Sequence, residues 1–133
     1  MLFIDALADY LADRGFGTIG EDLFLWFAPA APGTSITVST YQGGSADPKF
    51  NLDTVRFQLR VRGTDTEEVT STVNDLYLAL HSLEGIDLGG FWLIDCQALQ
   101  PAPTYLGRDA SGRDDFSINF SATVKRPDAG NRL

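Results

Sequence analysis

The side chains that most often carry out chemistry are scarce in this chain of 133 residues, which has one histidine and one cysteine. His81 and Cys96 would make a base and a nucleophile only if the fold brought them together, and no G-x-S-x-G motif offers a serine instead. A zinc site would need more His or Cys ligands at a defined spacing. We therefore predict that the protein is not an enzyme and has no cofactor or metal, and that His81 is a structural residue near a helix end.

Two other patterns look like ligand motifs. Residues 15–20, GFGTIG, have the G-x-G-x-x-G spacing of dinucleotide sites, but they follow a predicted helix and open a strand, whereas such a site needs the reverse order. Asp109, Asp114 and Asp115 could bind calcium weakly, yet they lack the spacing of a calcium loop. We predict a helix-to-strand turn at the glycines and a solvated loop at the aspartates.

The clearest single element is the strand at residues 55–62, VRFQLRVR, in which apolar and polar side chains alternate. Its polar face would carry Arg56, Arg60 and Arg62. A strand that is covered on one side only is typical of a one-sided, largely antiparallel sheet. The arginine face is then left free for a partner.

A second charge pattern lies on a predicted first helix over about residues 3–14. Asp5, Asp9 and Asp13 are spaced four apart, which places them on one face of the helix, where like charges repel. The arginine face could neutralise this acidic stripe, either within one subunit or across a subunit boundary. The alternative is a plain solvated face on each element.

The overall charge limits the classes of partner. The net charge is −8 and the pI is about 4.4, whereas domains dedicated to binding nucleic acid are usually basic. A single cysteine fits a reducing compartment, and the first residues lack the basic region of a signal peptide and the length of a membrane span. We expect a protein that is not secreted, contacts no membrane and does not grip nucleic acid.

The remaining elements complete an α+β fold with a mostly antiparallel sheet and two helices packed on one face. A second helix should begin at a cap on Thr64 or Asp65 and run to Gly85, followed by a Gly-Gly hairpin. Further strands are predicted over 23–27, 35–41, 91–99 and 116–124, and loops over 42–53 and 100–115. We predict one domain over residues 1–126 and a flexible tail over 127–133.

Several stretches of the sequence together resemble those of a known protein family. They are the opening LADYLADRGFGTIGEDLFLWFAP, the strand VRFQLRVRG that leads to a helix ending YLALHSL, the Gly-Gly hairpin, and the block PTYLGRDASGRDDFSINFSATVKRP. In these, the whole chain resembles the tail-terminator (tail-completion) proteins of long-tailed bacteriophages, often labelled minor capsid proteins. The most specific part is Tyr105–Asp109 with Gly112 and Arg113.

The resemblance implies a structural role in the virion. Such proteins assemble in the host cytoplasm as a ring, typically a hexamer, on the head-proximal end of the tail tube, stop tube polymerisation and present a surface to the head connector. The implied partners are other copies of the chain, the tail tube protein and the connector, while DNA passes through without specific binding. A connector or stopper protein of the same neck, a generic protein-binding module and a small hydrolase are the competing interpretations.

Loops on a rigid scaffold usually carry contacts, so we place the tube and connector contacts on the two polar loops. The contact residues expected there are Asp47, Lys49, Arg108, Asp109 and Arg113. For ring closure we expect the arginine face of residues 56–62 to meet the acidic stripe of a neighbouring copy.

Overall fold

A computed structural model describes residues 2–29, 33–41 and 52–127. The described chain forms two helices and seven strands. In chain order they are α1 (Phe3–Asp13), β1 (Leu23–Leu25), β2 (Ser35–Tyr41), β3 (Leu52–Gly63), α2 (Thr66–Leu80), β4 (Ile86–Leu88), β5 (Phe91–Ala98), β6 (Thr104–Arg108) and β7 (Asp114–Lys125).

All seven strands belong to one curled sheet. Six of them follow the order β1-β2-β3-β7-β5-β4, and β6 also pairs with β7. Only β1 and β2 run parallel, and the other neighbouring pairs are antiparallel. β3 pairs with β7 along its whole length, whereas β5 pairs with residues 120–125 of β7 and β6 with residues 114–117. β5 and β6 therefore lie end to end along the second edge of β7.

Both helices pack on the same face of the sheet, as predicted. The Phe3 ring of α1 contacts the rings of Phe57 and Phe91, with centroids 6.1 and 5.8 Å apart. The face of α2 that joins the same core consists of buried aliphatic side chains: Val69, Val73, Leu76 and Leu80. In β3 the buried residues are those that alternate with the arginines, so the predicted α+β architecture is confirmed.

The helix ends follow from local hydrogen bonds. Gly15 ends α1 with φ +85°, which lets the Phe16 amide donate to the Leu11 carbonyl, as in a Schellman motif. Asp65 caps α2, because its carboxylate accepts from the amides of the second and third residues of the helix. α2 stops well before Gly85, so the longer predicted helix is wrong. The Ser82 amide donates to the Cys96 carbonyl instead, which ties this segment to the edge of β5.

Two further predictions about connections are affected. The loop predicted over 100–115 is wrong in part, because β6 lies inside it and β7 begins at Asp114. β3 begins at Leu52, so the loop predicted over 42–53 is shorter than expected, and its remainder, with Asp47 and Lys49, lies outside the described residues. Residues 128–133 of the predicted tail also lie outside them.

The predicted Gly-Gly hairpin is confirmed. Gly89 and Gly90 have φ values of +57° and +93°, the backbone that a tight two-residue turn between antiparallel strands requires. Neither helix of the described chain combines the length and the apolar content needed to cross a membrane.

Candidate functional site

The sheet face turned away from the helices, called here the open face, carries the arginines of β3. Arg60 lies opposite Thr37 of β2 and Ser117 of β7, so the cationic row is flanked on both sides by short polar side chains. Others on the same face are Ser39, Asn119 and Ser121. No helix covers this face in the described chain.

The three arginines of the row differ in their partners. Arg60 forms an ion pair with Asp115, which lies on β7 two residues from Ser117 and directly opposite Arg62. The Arg60 Nε lies 3.5 Å from the second carboxylate oxygen. Arg56 and Arg62 form no ion pair with any described residue. Their guanidinium groups are therefore the ones available to an acidic partner.

The acidic stripe of α1 is separated from the arginine row by the sheet itself. Asp5 accepts a hydrogen bond from the Leu2 amide at 2.7 Å, and so completes the first turn of the helix, whereas Asp9 and Asp13 are exposed. No ion pair among the described residues joins the stripe to the arginine row. The structure therefore does not bring the two charge patterns together within one chain.

A buried carboxylate organises the end of the sheet next to α2. Asp114, whose side chain is 2% exposed, accepts hydrogen bonds from Thr66 of α2, from the Tyr105 hydroxyl at 3.0 Å and from Arg108 Nε at 3.0 Å. The hydrogen bonds from Arg108 and Thr66 lower the pKa of Asp114 to about 2. Arg108, predicted as a contact residue, is thus an anchor between β6 and β7, although 57% of its side chain remains exposed.

The turn between β6 and β7 is held by two other predicted contact residues. The Asp109 carboxylate accepts from the amides of Ser111 and Arg113 at 2.9 and 3.0 Å, and from Arg113 Nε at 2.8 Å. The hydrogen bond from the Arg113 backbone is the largest cause of the lowered pKa of Asp109. Asp109 and Arg113 therefore shape this turn, and the predicted solvated loop is an ordered hairpin.

The residues first considered for chemistry occupy structural positions. His81 follows the last residue of α2, as predicted, stacks on the Tyr77 ring and accepts a hydrogen bond from the Ala98 amide at its Nδ1 atom. Cys96 is buried in the core, and burial raises the pKa of its thiol to about 12. Residues 15–20 connect α1 to β1, as predicted. The described residues contain no cluster of three His, Cys, Asp or Glu side chains that could hold a metal ion.

The sequence analysis missed two groups of residues at these surfaces. Asp114 is in phase with the buried residues Ile118 and Phe120 of β7, so the alternation of that strand could have identified it as a carboxylate on the core side. Trp26 and Phe27 follow the edge strand β1 and are 49% and 76% exposed. The signal that could have identified them was a pair of bulky aromatic residues followed closely by Pro29.

Comparison with known proteins identifies a family. A family model described as a bacteriophage tail terminator protein matches residues 10–126, which include the last turn of α1, helix α2 and all seven strands. No curated protein matches the chain.

Proposed function

Because the chain belongs to the bacteriophage tail terminator family, we propose that it assembles as a hexameric ring on the head-proximal end of the tail tube. As a member of this family it is a structural protein of a phage tail and a component of the virion. In the proposed role it stops polymerisation of the tube at the neck and presents the surface that joins the tail to the head connector, after assembly in the host cytoplasm.

The observation that carries this proposal is the separation of charge across the chain. The two helices contain six acidic residues and no basic one: Asp5, Asp9, Asp13, Glu67, Glu68 and Asp75. The opposite side of the sheet carries the arginine row of β3. Unlike charges on opposite sides favour a head-to-tail contact between copies, and contacts of this kind close into rings when the rotation is right.

In the proposed ring the arginine row of one copy faces the acidic stripe of the next. Arg56 and Arg62 supply the attraction because neither forms an ion pair with a described residue, whereas Arg60 is already paired with Asp115. On the acidic side Asp9 and Asp13 are exposed and available. Asp5 contributes less because it caps its own helix.

The β6–β7 turn supports the proposed contacts to the tube or the connector. Its backbone is held by Asp109 and Arg113, so its shape is set before any partner arrives. Arg108 remains more than half exposed beside it. We assign the complementary contacts of the tube or connector to this turn and to the segment with Asp47 and Lys49 that the sequence predicts as a loop.

A charge-swap experiment tests the ring contact. Arg62→Glu should weaken self-association about tenfold or more, since it places like charges against the acidic stripe, and adding Asp13→Lys should restore it. Lys125→Glu, which changes the net charge by the same amount at the far end of β7, is the matched control. The measurement is mass by light scattering over a concentration series, for the protein alone, with purified tail tubes and with the purified head connector, with negative-stain images of each peak.

The outcomes separate the candidate functions. Rings, or monomers that form rings on tube ends, support the terminator role. A wild-type monomer that ignores tubes but binds the head connector would make the chain a stopper of the neck. One that binds neither would make it a general protein-binding module.

A further inference from the structure

An exposed aromatic pair is held in a strained turn at the end of β1. Trp26 has φ +74°, and the Phe27 amide donates to the Leu25 carbonyl at 2.9 Å across it, the pattern of a γ-turn with positive φ. This form of the γ-turn is rare and strained for a residue with a side chain. The Trp26 amide donates to the Val38 carbonyl at 2.8 Å, so the neighbouring strand fixes the turn.

The strain keeps two large apolar side chains in water. Trp26 and Phe27, called here the aromatic knob, are 49% and 76% exposed, so about half of the first side chain and most of the second remain in water. Strained backbone persists where the surroundings impose it, and it is concentrated at functional positions. Tryptophan is also a frequent anchor of protein interfaces. An aromatic pair displayed in this way indicates a contact with another protein.

A groove lined by both polar and apolar side chains lies between the two helices. It has a volume of about 530 Å³ and is lined by Gly15 and Phe16 at the end of α1 and by Asp75, Leu78 and Ala79 of α2, with Arg14 and Thr72 at its wall. Leu78 is 68% exposed, and Asp75 forms no ion pair with a described residue. We call this feature the helical groove.

We propose that the aromatic knob of one copy enters the helical groove of the next copy in the ring. The occupant is a second copy, because the charges beside the knob and those beside the groove are opposite in sign. The knob borders a depression that also contains Arg60 and Arg62, and the groove follows directly after Asp13 and contains Asp75. The approach that brings the arginine row to the acidic helices therefore carries the knob to the groove.

The positions of the two features make the contact directional. Trp26 lines a surface with Leu2, Phe3 and Ile4 at the start of α1, whereas the groove begins at the end of that helix. The 11 residues of α1 separate the two by about 16 Å at the usual rise per residue. A chain cannot fill its own groove, so each copy offers one knob and one groove, as a closed ring of identical subunits requires.

The test rests on the proposed ring and uses one variant on each side of the contact. Trp26→Asn removes the indole with a residue that tolerates positive φ, and Leu78→Lys places a charge in the groove with a good helix former. The matched controls are Trp92→Gln, a Trp that is 47% exposed on β5, and Thr70→Lys, two turns earlier on α2. Circular dichroism and thermal unfolding should show that all four variants are folded.

Each knob or groove variant should lose at least about tenfold in self-association by light scattering, while the controls assemble as the wild type does. In an equimolar mixture, Trp26→Asn contributes an intact groove and Leu78→Lys an intact knob. One productive contact is then possible, so the mixture should form dimers but no rings. A Trp26→Asn variant that assembles normally, or a mixture that yields rings or only monomers, overturns this inference while leaving the ring in place. Wild-type chains that stay monomeric alone and with tail tubes overturn both.

Discussion

At the scale of single residues, Asp114 connects three elements through one carboxylate. The Asp114 carboxylate of β7 accepts hydrogen bonds from Thr66 of α2 and from Tyr105 and Arg108 of β6. Each donor favours the ionised carboxylate, which is why its pKa lies well below the ordinary value. The same group explains why Arg108 has a structural role in addition to any contact it makes with a partner.

The low pKa of Asp114 predicts an acid-sensitive fold. The carboxyl titrates near 3.8 in the unfolded chain and near 2 in the folded one, so its contribution to stability is complete above about pH 4 and is lost as the pH falls towards 2. Asp114→Asn should lower Tm by several degrees at pH 6, because Arg108 then lacks its counter-charge. Between pH 4 and 2 its Tm should fall less steeply than that of the wild type.

Thermal unfolding from pH 2 to 6 is the measurement for this prediction. Glu84→Gln, at an exposed residue that forms no ion pair with a described residue, is the control for removal of one carboxylate. Parallel profiles of Tm against pH for the wild type and Asp114→Asn would show that Asp114 is not the group responsible.

Cys96 should react only when the protein unfolds. Its thiol is 2% exposed and protonated at neutral pH, because burial raises its pKa to about 12. Labelling by an aromatic disulfide reagent at pH 8 should be about a thousandfold slower in the native protein than in denaturant. A Ser71→Cys variant, exposed on α2, should react quickly under the same native conditions. Rapid labelling of Cys96 would instead indicate local opening around β5.

At the scale of the elements, the start of α2 depends on one side chain. The Asp65 carboxylate accepts from the Glu67 and Glu68 amides at 3.1 and 3.4 Å, and these amides have no partner within the helix. Asp65→Ala should lower the free energy of unfolding by about 1 kcal/mol. Urea denaturation at pH 7 is the measurement. Thr64→Ala, at the other residue predicted as a cap, should change it by less than about 0.5 kcal/mol.

Alternation and capping signals were enough to predict most of the elements, because they depend on neighbouring residues alone. The strand periods of β3 and β7 even place Phe57 and Phe120 on one face, where their rings stack at 5.2 Å. β6 could not be predicted in this way. It has five residues and exposed side chains, and its pairing is interrupted by a bulge before Gly107, whose φ is +120°. β6 is a strand because it pairs with the edge of β7 that β5 leaves free.

The sequence was enough to predict which charged residues form the candidate site, but not which of them contact one another. The arginine row and the acidic stripe follow from spacing alone. The ion pair between Arg60 and Asp115 depends on the register between β3 and β7, because the two residues are diagonal neighbours across the strands. The strained turn at Trp26 depends on the parallel pairing of β1 with β2. Local sequence carries neither piece of information.

At the scale of the whole molecule, charge should keep the protein off DNA. The net charge is −8, and the arginine row is narrow and partly neutralised by Asp115. Binding of a labelled duplex, followed by fluorescence polarisation at about 50 mM salt, should stay undetectable at about 10 μM protein, where basic proteins bind nonspecifically. Tight binding that weakens steeply with added salt would contradict passage of DNA without specific contacts.

The place of β7 in the sheet has a consequence for how the chain folds during synthesis. β7 follows every other described strand along the chain, yet it is the shared partner of β3, β5 and β6. Pairings such as Leu52 with Lys125 join distant residues, which slows folding. On the ribosome, a chain that has not yet reached Lys125 lacks the strand on which the sheet is built. Only chains that include β7 can then display the open face, so the proposed self-association should wait until β7 has been synthesised.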